Sequence, residues 1–300
     1  MISVIIPSYN SENTIQKCLD ALKNQSYQGN YEIILVDSSI DRTPQIVSDN
    51  HPDIRLIHLD KKTDPGTARN IGIREAKGDI FAFIDSDCVP SKDWLERIAN
   101  AHKSVYRIIG GVVINGNADH DIIALAGYMA EFREFLPGQL KREVTHIPTC
   151  NISYKKEIFV KYGFFQGKYY PQEDLVYHCM LTEKGEKILL DPTIEIFHNH
   201  RSNFKEFLKH QKKIGAITPL VLRTARLPGS FIAKHPIPYA ILIPVLPVIK
   251  FLRTLIVFLH RQPKIIVRRP IAILAFGISL IWWTIGFTQG VCTSRYSTTR

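Results

Sequence analysis

After Glu206 the chain has no further aspartate or glutamate. Residues 201–300 carry 16 Lys and Arg against that single acid, whereas residues 1–200 carry 22 Lys and Arg against 27 Asp and Glu. The formal charge of +10 therefore belongs to the last third and not to the chain as a whole. No aromatic-interleaved basic face or nucleic-acid-binding motif accompanies it, so the charge does not mark a nucleic-acid binder. Cysteine is scarce and scattered. The five (Cys18, Cys88, Cys150, Cys179, Cys292) form no C-x-x-C pair and no zinc spacing, and they read as reduced thiols of a cytosolic domain. A G-x-G-x-x-G turn after the first strand and a Walker P-loop are both missing, which excludes the usual dinucleotide and P-loop readings. There is no internal repeat and no low-complexity linker. The N-terminal Met-Ile-Ser-Val-Ile-Ile-Pro has no charged n-region and no long apolar run, so it reads as a first strand and not as a secretory signal.

What is present is a globular composition, 45% hydrophobic and 22% charged over 300 residues. Short apolar runs at Ile2–Ile6, Glu32–Val36, Ile54–Leu59, Ile80–Ile84 and Ile108–Ile114 read as buried strands. Amphipathic stretches at about 13–24, 43–50, 66–77 and 91–103 read as helices between them. This order predicts an α/β fold, a mostly parallel, Rossmann-like sheet with helices on both faces. Ligands of such sheets bind beyond the carboxyl ends of the strands. Those ends read Pro7-Ser-Tyr9-Asn, Asp37-Ser-Ser-Ile-Asp41 and Asp85-Ser86-Asp87, an aromatic ring and several carboxylates converging on one edge. Two carboxylates one residue apart repel unless a cation lies between them, and hard oxygen ligands favour Mg²⁺ or Mn²⁺ with a phosphate as co-ligand.

Six pieces in order carry a family resemblance. They are Ser3-Val-Ile-Ile-Pro-Ser-Tyr-Asn10, Glu32-Ile-Ile-Leu-Val-Asp37, Gly66-Thr-Ala-Arg-Asn-Ile-Gly72, Phe83-Ile-Asp-Ser-Asp87, Glu173-Asp174 and Glu195-Ile-Phe-His198. Over about residues 1–220 the chain resembles the family 2 glycosyltransferases of GT-A fold, and Thr149-Cys-Asn151-Ile-Ser153 resembles that family's acceptor-side strand. The resemblance implies an inverting, single-displacement transfer from a nucleotide-sugar donor. It implies that Pro7, Tyr9 and Glu12 line the base and ribose, that Asp37 hydrogen-bonds the base, and that a uracil suits this set. Ser38 stands where many relatives carry a second acid. It further implies that Arg69 faces the diphosphate and that Asp85, Ser86 and Asp87 lie at the donor. Asp87, Asp85 and His198 are implied to hold the metal, with His200 as the competing histidine. Asp174 is implied to be the general base, with Glu173 as runner-up, and Asn151 to lie on the acceptor side. Gln211-Lys-Lys-Ile-Gly215 lacks the Arg-Trp that follows this glutamine in processive synthases, so one sugar is transferred at a time.

Residues 1–225 are thus expected to form the GT-A catalytic domain, and 226–300 a membrane-associated region. Ile271–Gly290 is 20 residues without a charge, the length of a bilayer-spanning helix. Arg261, Lys264, Arg268 and Arg269 upstream of it keep the catalytic domain on the cytoplasmic face of the cell membrane. The stretch 236–259 contains Lys250, Arg253 and the helix-breaking Pro238, Pro244 and Pro247, and it reads as an interfacial or re-entrant helix, with a second span as the alternative. The basic run Lys205, Lys209, Lys212, Lys213 reads either as a solvated face or as a membrane-facing stripe. A lipid or lipid-linked glycan acceptor follows from this segment. Two other readings compete: a haloacid-dehalogenase-type phosphatase using Asp85 and Asp87, whose motif would sit on the first strand, and a non-catalytic membrane scaffold.

Overall fold

The structure, a computed structural model, describes residues 1–227, 229–234 and 242–296. Packing divides the chain into two units. One comprises Met1–Gly116 with Pro137–Asn199, the other Asn117–Leu136 with His200–Arg300. The packing break therefore lies before residue 225. Helix Phe204–Thr224 buries Phe207, Leu208, Gly215 and Val221 and packs with the C-terminal helix Pro270–Tyr296 in the second unit.

In the first unit, nine strands among the described residues form one sheet. They are β1 (Ile2–Ser8), β2 (Tyr31–Asp37), β3 (Arg55–His58), β4 (Ile80–Ile84), β5 (Cys88–Pro90), β6 (Ile108–Asn115), β7 (Arg142–Val144), β8 (Asn151–Lys155) and β9 (Ile188–His198). Their order is β3-β2-β1-β4-β8-β6-β9-β5, with β7 paired to β9. All seven residues of β1 are buried, Ile2 and Val4–Ile6 supplying the apolar side chains that a strand covered on both faces needs. Helices α1 (Ile15–Lys23), α2 (Thr43–Asn50), α3 (Pro65–Glu75) and α4 (Trp94–Ala101) fall where the amphipathic stretches predict them. Asp64 caps α3, its carboxylate accepting from the Thr67 amide at 3.0 Å.

The β3-β2-β1-β4 half is parallel, as expected. The other half is mixed. β6 does not pair with β4; β8 lies between them and runs antiparallel to both. An aromatic cluster anchors β8: Tyr154 lies 5.6 Å from Phe83 and 5.1 Å from Phe159. The strand order reverses between β1 and β4, so the crevice beyond Ser8 and Ile84 is the switch point where α/β sheets bind ligands.

The second unit is helical among its described residues: α5 (Ile122–Phe132), α8 (Phe204–Thr224), α9 (Ser230–Lys234), α10 (Leu246–Arg261), α11 (Pro263–Arg268) and α12 (Pro270–Tyr296); α6 (Glu157–Tyr162) and α7 (Glu173–Glu183) belong to the first unit. The expected helix 236–259 appears as α10, and its residues 236–241 lie outside the described residues. Within α12, Pro270–Thr293 is the one helix among the described residues long and apolar enough to cross a membrane. Trp283, Phe287 and Val291 of that helix form a buried cluster with Ile232, against which Ile214 and Leu222 pack.

Candidate active site

The crevice is built from strand ends of the first unit. At the end of β1, Pro7 is buried in register with Val36, while Tyr9 is half-buried and carries the Lys62 ammonium 3.8 Å above its ring. Glu12 is exposed and accepts from the Arg42 amide at 3.3 Å, beside the first turn of α2. Asp37, at the end of β2, is fully buried. Its Oδ1 accepts from Ser39 Oγ at 2.5 Å, and its Oδ2 meets the Ser39 amide at 3.1 Å and His58 Nδ1 at 2.8 Å. Both oxygens of the residue implied to contact the base are thus already engaged within the chain.

The centre of the site is a buried ion-pair chain. Arg69 on α3 is 3% exposed. Its Nη2 donates to Asp85 Oδ1 at 2.6 Å and its Nη1 donates to Glu173 Oε1 at 3.0 Å. The paired carboxylates hold the guanidinium pKa above its ordinary value against the opposing effect of burial, so Arg69 is a fixed cation. Burial pushes the Glu173 carboxyl up to about 7; Arg69 opposes that rise and Asp174 adds to it. Gly66 makes the arrangement possible, since a Cβ there would meet Glu173 Cγ at 2.9 Å. Arg69 was expected to face a diphosphate; here it holds Asp85, the residue that would share that diphosphate.

Ser86 is buried, its hydroxyl 2.7 Å from that of Ser11, which ties the turn after β4 to the loop after β1. Asp87 and His198 meet across β5 and β9, with His198 Nε2 3.6 Å from Asp87 Oδ1. Cys88 is the register partner of His198, and its sulfur lies within 4.8 Å of both ligand atoms. Burial raises the Cys88 thiol well above its ordinary pKa, and a hard divalent cation favours the carboxylate and the imidazole over sulfur. A carboxylate oxygen with an imidazole nitrogen fits Mn²⁺ or Mg²⁺, and the residues present accommodate such an ion. His200 does not compete. It lies in the second unit, where its ring packs 5.7 Å from Tyr128 and 5.3 Å from Phe132.

Asp174 is half-buried in the first turn of α7, where the helix N-terminus favours an anion. Its Oδ2 accepts from the Thr149 amide at 3.2 Å and its Oδ1 from the Leu175 amide at 2.7 Å. Asn151 requires a correction. It is fully buried, donating from Nδ2 to the carbonyls of Val112 (2.8 Å) and Ile194 (3.0 Å) and accepting from Trp94 Nε1 (2.9 Å). Three of its four hydrogen-bonding positions face the interior, so it joins β6, β9 and α4 and offers nothing to an acceptor. Lys62, His58 and Ser11 are site neighbours that motif reading passes over. Of these His58 alone had a signal, its place at the end of β3.

Comparison with known proteins identifies the family and the fold. The model of the family Glycosyl transferase family 2 matches residues 3–163. The chain is 28% identical over 222 residues to glycosyltransferase AglE of Haloferax volcanii, covering 71% of each. It is 26% identical over 248 residues to the dolichyl N-acetyl-alpha-D-glucosaminyl phosphate 3-beta-D-2,3-diacetamido-2,3-dideoxy-beta-D-glucuronosyltransferase of Methanococcus voltae, covering 74% of each. In fold it is similar to residues 1–349 of S. aureus TarS bound to UDP, with a TM-score of 0.54 at 18% identity over 100% of this chain and 92% of that one. It is similar as well to the mannosyltransferase PcManGT of Pyrobaculum calidifontis bound to GDP-Man and Mn²⁺, with a TM-score of 0.53 at 17% identity over 94% and 87%. The fold is GT-A, and the chain belongs to glycosyl transferase family 2.

Proposed function

We propose that this glycosyltransferase moves one sugar at a time, with inversion, from a uridine-diphosphate donor to a hydroxyl or phosphate of a membrane lipid or lipid-linked glycan. The observation that carries this reading is the ion-pair chain Glu173–Arg69–Asp85, which ties the start of α7 to the turn beyond β4 in the switch-point crevice. The lipid acceptor is supported by the basic, apolar C-terminal unit and by the dolichyl phosphate named for the Methanococcus relative. The uridine donor is supported by the Tyr9 face and by the UDP held by TarS. Gln211 without a following Arg-Trp supports single transfer.

Tyr9 and Lys62 would bracket the base, and Ser11 and Ser86 would fix the turn beneath the diphosphate. Asp85, Asp87 and His198 would hold a divalent cation that neutralises the charge growing on the leaving nucleoside diphosphate. Asp174 would accept the proton of the acceptor hydroxyl as its oxygen attacks the anomeric carbon. Glu173, bonded to Arg69, is the less available base. The second unit would hold the enzyme at the cell membrane, with the catalytic unit on the cytoplasmic face, whose anionic lipids suit the arginines and lysine of 261–269.

Full-length protein supplied with a panel of nucleotide sugars, Mn²⁺ or Mg²⁺ and polyprenyl or dolichyl phosphates tests the proposal. The expected result is metal-dependent release of UDP coupled to formation of a glycolipid. Hydrolysis of a phosphate monoester without any nucleotide sugar would favour the phosphatase reading instead.

A further inference from the structure

We propose that the C-terminal unit docks in one leaflet of an anionic membrane, with α10 and α12 lying along the interface and not crossing it. The inference deepens the membrane reading above and is independent of the donor and the acceptor.

On α12, Ile271, Leu274, Ile278, Ile281 and Ile285 are exposed at spacings of three and four, so they share one face; Leu274 is 68% exposed. The opposite face is buried, with Ala272, Phe276, Trp283 and Phe287 inside the unit. Helix α10 repeats the pattern, with Val248, Leu252, Ile256 and Leu259 outward and Thr254 and Phe258 inward. The two helices touch, Phe251 stacking on Phe276 at 5.8 Å. Each therefore presents a single apolar stripe outward, the pattern of a helix half-sunk in an interface.

The neighbour of α12 argues against a crossing. Backbones of α8 and α12 are in contact. A Cβ at Gly286 would overlap the Lys212 carbonyl, one at Gly290 the Ala216 carbonyl, and one at Gly215 the Trp283 carbonyl. These contacts set α8 alongside residues 283–290, the C-terminal half of the apolar stretch. Lys209 and Lys213, both exposed on α8, then lie level with it. If α12 spanned the bilayer, α8 would carry these ammonium groups to hydrocarbon depth, where charge is strongly disfavoured. An interfacial placement leaves them among headgroups. Gly286 and Gly290 have the four-residue spacing by which spanning helices pair, and here that face is filled by α8 of the same chain.

Charge names the occupant. Lys264 and Arg268 are exposed on α11, which connects the two striped helices, and no acid follows Glu206 in the chain. An apolar stripe bordered by cations with no acids matches anionic headgroups over acyl chains.

The test uses full-length protein with Cys292→Ser, which removes the one exposed thiol among the described residues. Single nitroxide labels are then placed through Leu274→Cys, Ile278→Cys, Ile281→Cys and Ile285→Cys, and their depth is read in vesicles of phosphatidylcholine and phosphatidylglycerol. An interfacial helix puts all four at one shallow depth. A crossing helix steps by ~1.5 Å per residue, or about 16 Å between the first and last labels, and that gradient would overturn the proposal while leaving membrane attachment intact. Labels that stay in water, with or without a dimer in light scattering, would overturn both. Lys264→Glu with Arg268→Glu is expected to weaken vesicle binding by about ten-fold or more; unchanged binding would contradict the charge match.

Discussion

Arg69 and Glu173 are 104 residues apart in sequence, yet Nη1 of one donates to Oε1 of the other at 3.0 Å, and both side chains are buried. Because Arg69 also grips Asp85, one guanidinium positions the turn beyond β4 against the start of α7. Arg69→Ala leaves two carboxylates without their cation. The expected outcome is a loss of roughly 3–5 kcal/mol of stability, the cost of breaking a buried ion pair. Arg69→Lys keeps the charge but loses the two-way fork, and it is expected to lower turnover about 10²-fold or more while the protein stays folded. Thermal unfolding and initial-rate measurements on the two variants separate these effects.

Asn151 sits in the motif region but works in the interior. Asn151→Ala strands the Trp94 indole N–H and relieves neither carbonyl it served. It is expected to cost about 2–4 kcal/mol of stability, with KM for the acceptor unchanged in the protein that remains folded. A selective rise in acceptor KM at undiminished stability would return Asn151 to the acceptor side.

Two buried histidines make the fold acid-sensitive. Burial lowers the pKa of His178 from 6.5 to about 3 and that of His102 from 6.5 to about 4. Both are neutral in the folded chain, His102 bonding Ser153 Oγ at 2.8 Å and His178 bonding the Tyr154 hydroxyl at 2.5 Å. The folded pKa values are depressed, so their contribution is whole above pH 6.5 and is lost as pH falls from there towards 4 and 3. At pH 5 each is expected to have cost about 2 kcal/mol relative to pH 8. Denaturant titrations across pH 5–8 check this, and His102→Gln should flatten the decline.

Much of this was legible in the chain itself. β1, β2 and β4 are mostly apolar runs that end at Ser8, Asp37 and Ile84, and the groups just beyond such ends are where α/β sheets bind ligands. The position of β8 between β4 and β6 was not legible, because strand neighbours are set by packing such as the Phe83–Tyr154–Phe159 cluster and not by local pattern. Asn151 misled for the same reason: its partners Trp94, Val112 and Ile194 are at least 39 residues away in sequence. Helix α8 looked like the end of the catalytic domain, and only the close approach of Gly215 to Trp283 shows that it groups with α12.

In the proposed transfer Asp174 is the group that takes the acceptor proton. Its most direct test is turnover by Asp174→Asn measured beside donor binding by calorimetry, in the same Mn²⁺ buffer. The amide keeps the shape and cannot accept the proton. Turnover is predicted to fall by about 10²–10⁴-fold while donor affinity stays within about two-fold of the native chain. Undiminished transfer by Asp174→Asn would contradict the account.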